Sequence, residues 1–226
     1  MTETTRPLAV VTGASSGIGL ELARQFADNG FDLIVAADGD GIHPTAHELE
    51  ADPAQVDLST REGVDELHAR LRHRPVAVLA LNAGITARSD DLERELALID
   101  LNVRSTVHLA RLVTRDMAAR GRGRVLFTAS MVESMPGPNQ AAYNASKAFI
   151  QSFATGLRHE LREHGVSVTV LAPETPGVAE DAAREAFQAV MAGREETAAS
   201  PPPGNASRFL PDGVKARLSD LITRPR

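Results

Sequence analysis

One tyrosine occurs among the 226 residues, Tyr143, and a lysine, Lys147, follows it four positions later in AAYNASKAF (141–149). Residues i and i+4 share a helix face, so an ammonium can sit beside the phenol. A phenol with its ordinary pKa of about 10 is a poor base near neutrality. A neighbouring cation favours the phenolate and lowers that value. Ser130 stands 13 positions before the tyrosine, at the end of the apolar run RVLFTAS (124–130). A hydroxyl there can hydrogen-bond a substrate oxygen and stabilise charge developing on it. Taken singly, these features are ordinary: a Tyr–Lys pair on a surface helix, a serine ending a strand. Brought together, they make an acid/base site.

A second stretch, TGASSGIG (12–19), places Gly13, Gly17 and Gly19 between an apolar run and a helical pattern. Such a turn lets the backbone approach a pyrophosphate without Cβ atoms in the way. The helix N-terminus behind it offers free N–H groups and a partial positive charge. Ser15 and Ser16 can add hydroxyl donors. Asp38 follows the second apolar run, 19 residues beyond Gly19. A carboxylate there can accept hydrogen bonds from an adenosine ribose and would repel a 2′-phosphate. The following DGDGIHPTAH holds no Arg or Lys, so NAD(H) is favoured over NADP(H), the alternative. His43 and His47 lack an accompanying carboxylate–histidine motif and read as loop histidines, with no metal site expected.

These residues need a frame. Short apolar runs at 7–13, 31–37, 54–58, 76–84, 124–130 and 166–173 are rich in Val, Ile and Leu and do not alternate with polar residues. That is how strands buried on both faces read. Helical patterns lie between them at 19–30, 59–73, 90–121 and 139–165, three of them ending near Gly30, Gly121 or Gly165, which can close a helix. The alternation predicts an α/β protein with a Rossmann-type, doubly wound parallel sheet in three α/β/α layers. The carboxyl ends of the strands then share one edge, where ligands bind. A single domain over residues 1–226 is expected, with 1–173 as its motif-bearing core. A further helix is expected over 177–193, a loop around the prolines at 201–203, and a short helix at 214–222.

Composition narrows the function classes. Hydrophobic residues make up 42% and charged residues 24%, with no cysteine, so disulfides and thiol chemistry are excluded. The net charge is −6 and the basic residues are scattered along the chain, which argues against a nucleic-acid partner. No apolar run is long enough to span a membrane. The N-terminus does not read as a secretory signal, and a cytoplasmic location is expected.

In order and spacing, TGASSGIG, Asp57-Leu58, Asn82-Ala83-Gly84, Asn102 in LNV, Ser130 and Tyr143-Asn-Ala-Ser-Lys147 resemble the motif series of the short-chain dehydrogenases/reductases. The resemblance covers about residues 6–173. It implies that Gly13, Ser15, Gly17, Ile18 and Gly19 hold the pyrophosphate of a nicotinamide dinucleotide. Asp57 and Leu58, at the end of the third strand, would contact the adenine, and Asn82, Ala83 and Gly84 would line the ribose side. Pro173 would border the cofactor. Tyr143 would be the acid/base for reversible alcohol–carbonyl interconversion on a small-molecule substrate, supported by Ser130, Lys147 and Asn102. Lys147 would also reach the nicotinamide ribose, and Asn102 would hold a water linking it to solvent. The family's association through the tyrosine-bearing helix and its long neighbour implies a homodimer; a homotetramer would also use a last strand.

The chain departs from the family after Pro173. Glu174 stands where the family has glycine, the substrate-covering segment is short, and EETAASPPP occupies the place of the seventh strand. An open pocket suits a large, polycyclic or carrier-bound substrate. Two other readings stay open: non-redox chemistry on the same fold, with Glu174 or Tyr143 as acid/base, and a non-catalytic dinucleotide sensor or partner subunit.

Overall fold

The computed structural model describes residues 6–85, 91–129, 139–172 and 179–197. Among them six strands form one sheet: β1 (Leu8–Thr12), β2 (Asp32–Ala37), β3 (Asp52–Gln55), β4 (Val76–Leu81), β5 (Gly123–Thr128) and β6 (Val166–Leu171). The order is β3-β2-β1-β4-β5-β6, and every pairing is parallel. Successive strand residues point to opposite faces. Along β1, Val10 therefore enters one apolar cluster while Ala9 and Val11 enter the other.

Those clusters form the two faces of a three-layer molecule. Helices α1 (Gly17–Asp28), α2 (Ile42–Glu48) and α7 (Ala179–Met191) bury Phe26, Ile42 and Ala186 on one face. Phe26 meets Phe31 and Phe187 edge-on, with centroids 5.2 Å apart in each pair. Helices α3 (Arg61–Arg70), α5 (Thr106–Ala119) and α6 (Ala141–Leu161) bury Leu67, Leu109 and Leu157 on the other. Helix α4 (Leu92–Ile99) packs against α6. Local chemistry sets the starts of α3 and α4. Thr60 Oγ1 accepts a hydrogen bond from Gly63 N, and Asp91 Oδ1 accepts one from Glu93 N. Gly30, Gly121 and Gly165 all have positive φ, as their place after helices predicts.

Three expectations need correction. The third strand covers Asp52–Gln55 rather than 54–58. It is an edge strand, where Pro53 is tolerated. Asp57 and Leu58 therefore follow the strand instead of ending it. His43 and His47 lie in helix α2, not in a loop; Pro44 falls in its first turn, where a missing N–H costs nothing. The helix expected over 90–121 is interrupted between α4 and α5 by a π-helical turn, Asp100–Ser105. Among the described residues the sheet ends at β6, with one further backbone contact beyond it. Val170 forms an isolated parallel bridge with Glu196 beside β6. Buried Arg158 secures it, donating to Val168 O (3.1 Å) and Glu195 O (2.6 Å). The prolines at 201–203 and the helix expected at 214–222 lie outside the described residues.

Candidate active site at the carboxyl edge of the sheet

The strand order reverses between β1 and β4, so their following segments diverge and leave a crevice at the carboxyl edge. Thr12, at the end of β1, ties the two segments together. Its hydroxyl accepts from Asn82 N and Ala83 N, both at 3.0 Å, and donates to Ala80 O at 3.3 Å. Asn82 Nδ2 returns a bond to Gly13 O at 3.4 Å.

The glycine turn is shaped by closeness. Gly13 has φ of 66°, and a Cβ there would lie 2.8 Å from Ala83 Cα. A Cβ on Gly19 would lie 2.1 Å from Gly13 O and 2.5 Å from Asn82 Nδ2. No side chain could be added at either position without opening the turn. Gly17 has space around it but a φ of 57°, so its requirement is conformational. Ser15 is half-buried, and Ser16 is the extended N-cap residue of α1 with no side-chain cap bond. Ile18 packs against the core, and the N-terminus of α1 has no side-chain cap bond, unlike those of α3 and α4, which leaves its first N–H groups as donors for a ligand. A group with a pyrophosphate fits this cradle on the chemistry of its donors and its lack of Cβ atoms.

Asp38 is exposed just past β2. Gln55 braces that turn, donating to Asp38 O (3.3 Å) and Asp40 Oδ1 (2.8 Å) and meeting His43 Nε2 at 2.8 Å. Asp57 is exposed, but its Oδ1 accepts from Ser59 N (2.9 Å) and Ser59 Oγ (2.6 Å). Leu58 is buried in the core. Its side chain therefore serves packing, which the motif alone does not reveal.

At the other end of the crevice, Gly84, Asn102, Tyr143 and Lys147 converge. A Cβ on Gly84 would stand 3.0 Å from Asn102 Oδ1 and 3.6 Å from Lys147 Nζ. The π-helical turn presents Asn102, which is 2% exposed, toward the β4 loop. Its Oδ1 accepts from Ile85 N at 2.9 Å, while Nδ2 donates to Ile85 O at 3.0 Å and Ser146 Oγ at 3.2 Å. Ser146 Oγ in turn donates to Tyr143 O at 2.7 Å. The asparagine expected to hold a water thus makes three direct protein contacts.

Lys147 is buried, with Nζ donating to Thr128 O at 3.1 Å and lying 5.8 Å from the centroid of the Tyr143 ring. Burial pushes its pKa down from the ordinary 10.5 to about 8. Tyr143 itself is half-buried on the same helix face. Ser130, Pro173 and Glu174 lie outside the described residues. The geometry among the described residues therefore unites the glycine turn, Asn82-Ala83-Gly84, Asn102, Tyr143 and Lys147 at one sheet edge.

A family model described as short chain dehydrogenase matches residues 7–189. The chain belongs to the short-chain dehydrogenase/reductase family. It is accordingly an oxidoreductase. A 1-deoxy-11-beta-hydroxypentalenate dehydrogenase of Streptomyces exfoliatus is 38% identical over 188 residues, 75% of this chain and 68% of that protein. An NADP-dependent 3-hydroxy acid dehydrogenase of Salmonella typhi is 28% identical over 96% of this chain and 90% of its own. Among solved structures, the bulky-bulky ketone specific alcohol dehydrogenase of Comamonas testosteroni aligns with a TM-score of 0.81 at 26% identity. That alignment covers 99% of this chain and 96% of that one. A short-chain dehydrogenase of Sphingobium yanoikuyae in complex with NADPH gives 0.80 at 26%, covering 97% and 96%.

Two supporting residues of this dehydrogenase/reductase lie inside the motifs without having been given a role by them: Thr12 and Ser146. Each carries a signal. Thr12 closes an otherwise apolar, fully buried strand, and a buried hydroxyl needs partners. Ser146 sits one position before the lysine, on the buried side of α6.

Proposed function

We propose that the protein interconverts an alcohol and a carbonyl with a nicotinamide dinucleotide held in the crevice between β1 and β4. The observation that carries this reading is the convergence of Lys147 and Asn102 on the Tyr143 helix face, at the same sheet edge as a turn that carries no Cβ at Gly13, Gly17 and Gly19. Gly13, Ser15, Ser16, Gly17, Ile18 and Gly19 would hold the pyrophosphate. Asp38 and Asp57 would border the adenosine, and Asn82, Ala83, Gly84 and Pro173 the nicotinamide side. When bound, the nicotinamide donates or accepts the hydride.

The chain's own residues handle the proton. Tyr143 gives its phenolic proton to the carbonyl oxygen in reduction, or takes one from the hydroxyl in oxidation. Lys147, cationic below about pH 8, favours the phenolate by charge. Ser130 would hydrogen-bond the substrate oxygen. Asn102 keeps the β4 loop fixed against α6, so Gly84 and Lys147 hold their spacing.

Asp38 favours NAD(H), because its carboxylate would repel a 2′-phosphate. NADP(H) is the alternative, since the NADPH-bound Sphingobium enzyme has the same fold. Asp38→Ala should raise NADPH affinity relative to NADH in fluorescence titrations, and an unchanged ratio would remove Asp38 from cofactor choice. The Comamonas enzyme named for bulky ketones and the Streptomyces enzyme named for a pentalenate support a bulky carbonyl or alcohol as substrate. We also place a homodimer contact on α5 and α6. There Phe149 is 40% exposed and stacks on Phe153 at 5.9 Å. A homotetramer would add the Val170–Glu196 edge.

The direct test mixes the protein with NADH and NADPH, measures binding, and then follows nicotinamide absorbance against a panel of bulky ketones. Binding with turnover supports the reading. Failure to bind either nucleotide would overturn it.

A further inference from the structure

The basic residues look scattered in the sequence, but folding gathers five arginines at the amino edge of the sheet. Arg6, Arg74, Arg120, Arg122 and Arg124 line a groove of about 590 Å³, with Asp32 as its only carboxylate among the described residues. This edge is remote from the crevice. Strand β4 begins in the groove at Val76 and runs six residues toward Asn82. At about 3.3 Å per residue, that separates the two by roughly 20 Å.

Part of the cluster has an internal explanation, because helix C-terminal ends collect on this edge and favour cations. Arg120, at the end of α5, donates to Val76 O at 2.9 Å. Arg6 donates to Gly30 O at 3.2 Å, just beyond α1, and Arg74 pairs with Asp52. Arg122 and Arg124 differ. Among the described residues neither side chain has a hydrogen-bond or carboxylate partner, and Arg124 is half-buried in a central strand. Arg122 is exposed, so the forked donors on this wall are open to a ligand. The concave wall also concentrates positive potential within a chain of net charge −6.

We propose that this groove is a second ligand site, for a small molecule bearing a phosphate or diphosphate group, bound by the forked donors of Arg122 and Arg124 within the field of the other three arginines. Guanidinium forks match phosphate oxygens in pairs. The groove has no Phe, Tyr or Trp lining it among the described residues, so a base has no ring to stack on. That separates a small phosphate ligand from single-stranded nucleic acid. The distance from Tyr143 makes the ligand something other than the substrate.

Inorganic pyrophosphate is the probe, titrated calorimetrically into the full-length chain and into Arg122→Gln/Arg124→Gln, with nicotinamide dinucleotide titrated into both as the control. Losing the charge-assisted bonds of both guanidinium groups weakens pyrophosphate binding at least about a hundredfold, while dinucleotide affinity is unchanged. Equal pyrophosphate binding in both proteins would assign it to the glycine turn and overturn the proposal. No saturable binding to the wild type would also overturn it. Neither outcome bears on the dehydrogenase reading, which the dinucleotide control reports separately.

Discussion

Replacing Lys147 with methionine should stabilise the protein at neutral pH while removing its activity. The ammonium is buried, and its pKa falls from the ordinary 10.5 to about 8. At about 1.4 kcal/mol per tenfold change, that difference corresponds to roughly 3 kcal/mol of cost when the lysine is charged. Methionine has similar length and no charge to desolvate. It gives up the bond from Nζ to Thr128 O, about 1 kcal/mol. The net expectation at pH 7 is a gain of about 2 kcal/mol. The pH dependence fixes the cause. Because the folded value lies below the unfolded one, the unfolded chain binds more protons between about pH 8 and 10.5, and wild-type stability rises through that window. Lys147→Met lacks this rise. Its advantage should shrink above pH 8 and reverse by about 1 kcal/mol near pH 10.5. Urea unfolding of both proteins at pH 7, 9 and 10.5 reads the effect, and other titrating groups cancel in the difference. A variant less stable than wild type at pH 7, or a gap constant across pH, would refute the desolvation cost. The expected exchange of stability against turnover is common where a strained group does chemistry.

Asn102→Asp keeps an acceptor for Ile85 N but loses both donors, to Ile85 O and Ser146 Oγ. It also buries a carboxylate, so a loss of about 2–4 kcal/mol in chemical denaturation is expected; a change under about 0.5 kcal/mol would show that the clamp is idle. Gly19→Ala would push a Cβ to 2.1 Å from Gly13 O. The turn must open, which should lower stability by about 1–3 kcal/mol and weaken dinucleotide binding; wild-type affinity in a titration would contradict the cradle.

Much of this architecture could be read from apolar runs, because a parallel sheet buried on both faces leaves a strong local pattern. Strand β1 shows no apolar–polar alternation, and all five of its residues are indeed buried. What escaped the pattern had identifiable causes. Helix α2 is short and carries Pro44 between two histidines, so its sequence resembles a turn. The π-helical turn at Asp100–Ser105 leaves helical periodicity almost intact on both sides, yet it aims Asn102 into the site. The Val170–Glu196 bridge is too short to register as a strand. The pairing of Tyr143 with Lys147 followed from their spacing. The supporting hydroxyls of Thr12 and Ser146 did not, because their partners, Asn82 N, Ala83 N and Asn102 Nδ2, are distant in sequence. The arginine groove is the extreme case, built from residues 6 to 124.

Everything proposed for the crevice turns on Tyr143 transferring the proton while its neighbours hold the cofactor. Tyr143→Phe removes one oxygen from the chain's single tyrosine. Dinucleotide binding and single-turnover reduction of a ketone that the wild type accepts should be measured side by side in the two proteins. Dinucleotide affinity should be nearly unchanged and the turnover rate lower by at least about a hundredfold, the lower range for a lost general acid. Retained turnover in the phenylalanine variant would contradict that role.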